Sequence, residues 1–243
     1  MAIRPISFIR AYCHTPLHHE MSYFITGTDT NVGKTLISCA LLYGFAARGK
    51  RVAGMKPVAA GCAVGGQHED IRQLCAASNV PASDELINPY CFGPAVAPHL
   101  AAQLTGVSIN FDLIREAFSE LASQADMVIV EGAGGLLVPM SATQDSADLM
   151  RELSLPVILV VGMRLGCLNH ALLTVEAIAA RGLALAGWVA NVLDADMAML
   201  DENIAALKQR IGAPLLGVVP HMAQPDARKA AGCLDLGLLG QTV

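Results

Sequence analysis

The stretch Gly27-Thr28-Asp29-Thr30-Asn31-Val32-Gly33-Lys34-Thr35 constrains this chain more than any other. It follows an apolar run, Tyr23 to Thr26, and precedes an Ala- and Leu-rich stretch, Thr35 to Arg48, that stops at Gly49. A strand, a turn closing on Gly-Lys-Thr and then a helix is the context a phosphate-binding loop requires. Backbone N–H groups of such a loop and of the following helix N-terminus point at phosphate oxygens, and the helix dipole favours their negative charge. Gly33 permits close backbone approach, Lys34 neutralises the β- and γ-phosphates, and the Thr35 hydroxyl is a candidate magnesium ligand. Read backwards from Gly33, the leading glycine position holds Thr28, with Gly27 one residue earlier. The expectation is ATP or GTP binding.

Further strand-like runs follow at Arg51 to Val58, Asp126 to Val130, Pro156 to Val161, Ala184 to Asn191 and Pro214 to Val219. Several are apolar on both faces, as central parallel strands covered by helices on each side must be. Between them, Phe111, Ile114, Phe118 and Leu121 share one helical face, and so do Met197, Leu200, Ile204, Leu207 and Ile211. This alternation predicts an α/β fold: a doubly wound, mostly parallel sheet with helices on both faces, of the P-loop NTPase type. In such sheets ligands bind beyond the carboxyl ends of the strands, so the loops after the strands are where chemistry is expected. With 53% hydrophobic and 15% charged residues there is ample core material, and no repeat or low-complexity linker divides the 243 residues. One domain is expected from Met21 to Val243. Residues 1–20, with two Arg, three His and no long apolar stretch, read as a disordered leader or a start placed too far upstream. His14, His18 and His19 are only a weak signal for a metal tract.

Composition removes some classes of function. A formal net charge of −5 argues against a nucleic-acid surface. No run approaches the roughly 18 apolar residues that span a bilayer. The seven cysteines are scattered and include no C-x-x-C pair, which predicts small core residues in a reducing, cytoplasmic compartment.

Other loops carry candidate chemistry. Lys56 ends the second strand and would project toward the same phosphates as Lys34, so the two could clamp a transferring phosphoryl group. The strand Asp126 to Val130 runs into Glu131-Gly132-Ala133-Gly134-Gly135, a Walker B-like acid followed by glycines that admit close backbone approach. Asp70, in His68-Glu69-Asp70, either reaches metal or merely favours a helix N-terminus. The helix beginning near Asn169 could hold a carboxylate at its N-terminus, or Asn169 and His170 could simply cap it. Asn191 could read a purine edge or form a turn.

Together these segments resemble the dethiobiotin synthetase family. The likeness runs through GTDTNVGKT at Gly27, GMKPVAAG at Gly54, the Asp70 region, INPYCF at Ile87 and APH at Ala97. It continues through VEGAGG at Val130, PVILVVGMRLGCLNHALLT at Pro156, LAGWVANV at Leu185 and APLLGVVP at Ala213. The resemblance implies a homodimeric, magnesium-dependent ligase. Its substrates would be ATP, 7,8-diaminononanoate and bicarbonate-derived CO2, with dethiobiotin, ADP and phosphate as products. Carried over position by position, Asn31, Val32, Gly33, Lys34, Thr35 and Leu36 would bind phosphates, and Thr35, Asp70 and Glu131 would surround Mg2+. Lys34 and Lys56 would stabilise the carbamate and the phosphoryl transfer. Glu131, Gly132, Ala133, Gly134, Asn191, Pro220, His221 and Met222 would line the nucleotide, and Asn169 would receive the substrate carboxylate across the dimer interface.

Three departures stand out: Ala60 where a serine is familiar, Val192 where an acid follows Asn191, and His221-Met222 in place of Trp-Leu. The last acidic contact, near Asp226, has no secure counterpart. The rival reading is a partitioning-type switch ATPase of the same fold. That class needs a signature lysine at the position held here by Asp29, an acid.

Overall fold

The computed structural model describes residues 22–62 and 68–239. The expectations for residues 1–20, for the start at Met21 and for the end at Val243 fall outside the described residues. In chain order the elements are β1 (Tyr23–Gly27), α1 (Lys34–Ala46), β2 (Val52–Met55), β3 (Val58–Ala60), α2 (Glu69–Ala77), α3 (Asp84–Ile87), β4 (Tyr90–Phe92), α4 (Pro98–Thr105) and α5 (Phe111–Gln124). They continue with β5 (Met127–Glu131), α6 (Ser146–Glu152), β6 (Val157–Met163), α7 (Cys167–Ala180), β7 (Leu185–Val192), α8 (Leu200–Arg210), β8 (Leu215–Val219) and α9 (Ala227–Ala231).

Six strands form one sheet in the order β2-β5-β1-β6-β7-β8, and every pairing is parallel. The chain runs from β1 to β2 on one side and later crosses from β5 to β6 on the other, so the strand order reverses beside β1. Alternation along the strands explains why both faces must be covered. Met127 and Ile129 of β5 join the apolar cluster built on Ile37, Leu41 and Phe45 of α1. Val128 and Val130 point the other way, into the cluster of Ile114, Phe118 and Leu121 of α5. Likewise Ile158 and Val160 of β6 face the α1 side, while Leu159 and Val161 pack with Trp188, Ile204 and Leu207. Each such fully buried aliphatic side chain contributes about 1.5–3 kcal/mol. The doubly wound parallel sheet expected from the sequence is thus present.

Two expectations need correction. The run Arg51 to Val58 is not one strand: it breaks at Lys56-Pro57, and Val58–Ala60 pairs instead with Tyr90–Phe92 in a separate two-stranded sheet. Pro57 has no N–H to continue the pairing, and the chain leaves the main sheet there. The cysteines are not all isolated core residues either. Cys62 and Cys91, one just past β3 and the other in β4, form a disulfide, while Cys39, Cys75, Cys167 and Cys233 are free. Their 29-residue separation carries no spacing signature, because the pairing of β3 with β4 brings them together.

Candidate functional site

Because all six strands run the same way, their carboxyl ends share one edge of the sheet. Along that edge, in spatial order, stand Lys56 after β2, Glu131 ending β5, the phosphate loop after β1, Arg164 after β6, Asn191 near the end of β7 and Pro220 after β8. Candidates from the first loop to the last strand end are therefore collected on one side by topology, although they run from Asn31 to Met222 in sequence.

The loop itself is held by backbone and by one apolar anchor. Thr28 N–H donates to Val160 O at 3.0 Å. Val32 is buried among Ile37, Val160 and Val219, its side chain seated against Gly27, where a Cβ would lie 2.5 Å from Val32 Cγ2. Asn31 and Gly33 both adopt left-handed backbone, at φ 59° and 90°. Asn tolerates this conformation and Gly is free in it. Gly33 sits at the N-cap of α1 and no side chain caps the helix, which leaves first-turn N–H groups for an anion. Leu36 completes that first turn and packs at the margin of the α1 cluster.

Two lysines and two carboxylates meet beside this loop. Lys56 Nζ lies 2.6 Å from both Asp70 Oδ2 and Glu131 Oε1. Thr35 Oγ1 donates to Glu131 Oε1 at 2.9 Å. Lys34 Nζ rests 3.1 Å from the carbonyl oxygen of Asp29. Burial alone would lower Lys56, but Glu131 and Asp70 outweigh it and hold its ammonium above the ordinary lysine range. Asp70 is held below the usual carboxylate range: burial opposes this, and the Lys56 charge and hydrogen bond prevail. For Lys34, burial dominates, aided by the Lys56 charge and opposed by Glu131, and brings it down to about 8.

Local structure fixes each member. Lys56 is anchored by the small sheet's flank: its N–H donates to Ile87 O at 2.8 Å, and Asn88 Nδ2 donates to its carbonyl at 2.5 Å. Asp70 is the second residue of α2, whose N-cap is His68. His68 Nδ1 accepts from Asp70 N–H at 3.2 Å, so the Asp70 carboxylate is left to face Lys56 rather than to cap. Glu131, 1% exposed, ends β5. Its Oε1 is shared by Lys56 and Thr35, whereas Oε2 is buried and has no hydrogen-bond partner. An orphaned carboxylate oxygen beside a threonine hydroxyl and a second carboxylate suits a small hard cation, which takes one or two carboxylates plus phosphate oxygens. No group of three or more His, Cys, Asp or Glu arranged for a metal occurs among the described residues, so water and substrate phosphate would complete such a shell.

The flanks of the site carry the remaining candidates. Gly132, Ala133 and Gly134 follow Glu131, with Gly132 N–H tied to Ile25 O at 3.0 Å and Gly134 at φ 66°. Asn191, 4% exposed, donates from Nδ2 to Val32 O at 2.8 Å. Pro220, His221 and Met222 follow β8, and His221 Nδ1 lies 3.1 Å from Leu193 O. Asn169 is the third residue of α7, which starts at Cys167 with Gly166 at its N-cap and no side-chain cap. Asn169 and His170 therefore do not cap that helix, which removes one of the two readings left open for them. Sequence reasoning missed one contact: Asp29 Oδ2 pairs with Arg164 at 2.6 Å, tying the phosphate loop to the loop before α7. The acid that stands in place of a signature lysine thus has a cation from another loop as its partner.

Known proteins match this chain over most of its length. A sequence family described as an AAA domain matches residues 21–229. The "ATP-dependent dethiobiotin synthetase BioD" of Nitrosospira multiformis is 54% identical over 220 residues, covering 90% of this chain and 97% of that protein. The proteins of the same name from Aromatoleum aromaticum and Ralstonia nicotianae are 56% and 53% identical, over 88% and 89% of this chain and 97% and 96% of theirs. Among solved structures, the MinD cell division protein of Aquifex aeolicus superposes with a TM-score of 0.54 at 11% identity, covering 87% of this chain and 93% of that one. At that identity the likeness concerns the fold alone.

Proposed function

This chain belongs to the AAA-domain family and, within it, to the ATP-dependent dethiobiotin synthetases, and from that premise we propose how its residues divide the work. The reaction is the ATP-dependent closure of a ureido ring: 7,8-diaminononanoate, CO2 and ATP give dethiobiotin, ADP and phosphate. One substrate amine adds to CO2, losing a proton and forming a carbamate. A carbamate oxygen attacks the γ-phosphorus, and ADP leaves. The neighbouring amine then attacks the carbonyl carbon, expels phosphate and closes the ring.

In our reading the loop from Asn31 to Leu36 holds the triphosphate, with Lys34 leaving the Asp29 carbonyl for phosphate oxygens. The depressed Lys34 is returned to full charge by the incoming anion, because an opposite charge favours the ammonium. Lys56 stays protonated and meets the carbamate and the transferring phosphoryl group, where a preorganised charge acts most strongly. Thr35, Asp70 and Glu131 would hold Mg2+, which when bound neutralises phosphate charge. Glu131 to Gly134, Asn191 and Pro220 to Met222 flank the nucleotide, and Asn169 takes the substrate carboxylate from a second copy. The observation that carries this reading is the Lys56–Asp70–Glu131–Thr35 cluster built beside the phosphate loop. A homodimer is supported by α7, 14 residues long and largely apolar, in which only Cys167, Ala171 and Ile178 are buried. Leu165, 96% exposed, lies in the loop before it, and Leu173 lies along it.

The test is ADP release by purified protein with ATP and magnesium, with and without diaminononanoate and bicarbonate. Release that requires both, with dethiobiotin detected by mass spectrometry, is expected. ATP turnover indifferent to both would overturn the assignment of the cluster and favour a switch ATPase.

A further inference from the structure

We propose that Asn191 is a positioning residue of the phosphate loop, whose amide braces the loop whether or not a base is bound. The proposal rests on the reading of residues 31–36 as the triphosphate site and gives Asn191 a task beyond lining the base. Asn191 stands near the carboxyl end of β7, in register with Gly162 of β6 and Val219 of β8. β7 is paired on both sides, so the Cα of Asn191 is fixed by the sheet. The side chain crosses from there to the loop after β1, 159 residues away in sequence, and its Nδ2 donates to the carbonyl oxygen of Val32 at 2.8 Å.

Two features of the loop depend on this bond. The Val32 carbonyl belongs to the peptide that enters Gly33, so the bond to Asn191 fixes the orientation of that peptide. Gly33 is also in the way of a side chain: a Cβ there would lie 2.2 Å from Asn191 Nδ2. Its left-handed φ of 90° is thus only half of the reason for glycine, and the closely approaching amide is the other half. Val32 is the second brace, because its side chain is buried among Ile37, Val160 and Val219 while its carbonyl is held by Asn191. The amide still has a second N–H and its own oxygen, so base and phosphate recognition would share one side chain. A residue of this kind moves the affinity of any polyphosphate, including one without a base.

The experiment compares Mg·ATP with Mg·tripolyphosphate, binding measured by calorimetry, in wild type, Asn191→Ala and Asn191→Asp. An unpaired buried carbonyl costs about a tenfold loss, so both ligands should weaken by about that factor in Asn191→Ala. Asn191→Asp, which turns a carboxylate toward the Val32 carbonyl, should weaken both at least as much. A residue that only read the base would behave differently: tripolyphosphate would bind every variant equally, and Asp, still an acceptor for an adenine amino group, would keep much of the ATP affinity. That outcome overturns the proposal. Nearly isosteric Asn191→Asp carries the same comparison should the alanine variant not fold. Failure of wild type to bind either ligand would instead sink the triphosphate site itself.

Discussion

At the scale of single residues, Lys56 shows how a buried charge is tolerated. It is 5% exposed, and burial of an ammonium is costly unless it is paired. Here the partners are Asp70 and Glu131, each at 2.6 Å. Lys56→Ala removes the cation and leaves two carboxylates facing each other. Turnover should fall about 10²–10³-fold, the usual loss of one preorganised charge, as measured by dethiobiotin formation. Near-normal kcat would take Lys56 out of the catalytic set. Lys56 was legible from sequence because a lysine ending a strand beside a phosphate loop has few other uses. The Arg164–Asp29 pair was not, since nothing local in either loop announces a partner 135 residues away. Cys39 supplies a pH test from the same cluster. Burial first, then the charges of Glu131 and Asp70, push its thiol up to about 12. A raised acid contributes stability that is complete below the unfolded value near 9 and is lost as pH climbs toward 12. In the native protein, alkylation of Cys39 should therefore stay negligible from pH 8 to 10, followed by peptide mass mapping. Ready labelling with a midpoint near 9 would contradict this environment.

Secondary-structure elements were read well where the period was long. The Phe111–Gln124 helix buries Phe111, Ile114, Phe118 and Leu121, the face expected. For α8 the expected face holds at Ile204 and Leu207, although Met197 lies ahead of the helix, which starts at Leu200. Short elements were invisible: β3 and β4 have three residues each, and their pairing joins residues as remote as Val58 and Tyr90. That small sheet matters, since Ile87 and Asn88, which anchor Lys56, lead into it and the Cys62–Cys91 disulfide joins its two strands' flanks. The bond closes a loop that contains α2 and hence Asp70. A loop of this length predicts a loss of about 3–4 kcal/mol for Cys62→Ser plus Cys91→Ser, on the chain-entropy account. Urea unfolding of the oxidised protein and the double variant would measure it. Equal midpoints would mean that the sulfurs are not joined in solution.

For the whole molecule, the site lies on one edge of the sheet, and α7 leaves an apolar face beside it. Of its positions only Cys167, Ala171 and Ile178 are buried, and Leu173 stands exposed among them. Leu173→Glu should therefore shift the protein toward monomer in sedimentation experiments and abolish dethiobiotin formation while ATP still binds. A wild-type monomer at micromolar concentration that is fully active would remove the second copy from the site. No helix among the described residues is long and apolar enough to cross a membrane.

By itself the sequence determined what is local and chemical. Gly33-Lys34-Thr35 after a strand specifies a phosphate loop, because backbone conformation, charge and hydroxyl all lie within three residues. Apolar period specifies strands and helices, and their alternation specifies a parallel sheet. Tertiary structure alone decided which distant groups meet: Lys56 with Asp70 and Glu131, Asp29 with Arg164, Asn191 with Val32, Cys62 with Cys91. The physical reason is that a contact between remote residues depends on strand order and register. Those are set by the packing of the entire core, and no short stretch of chain encodes them.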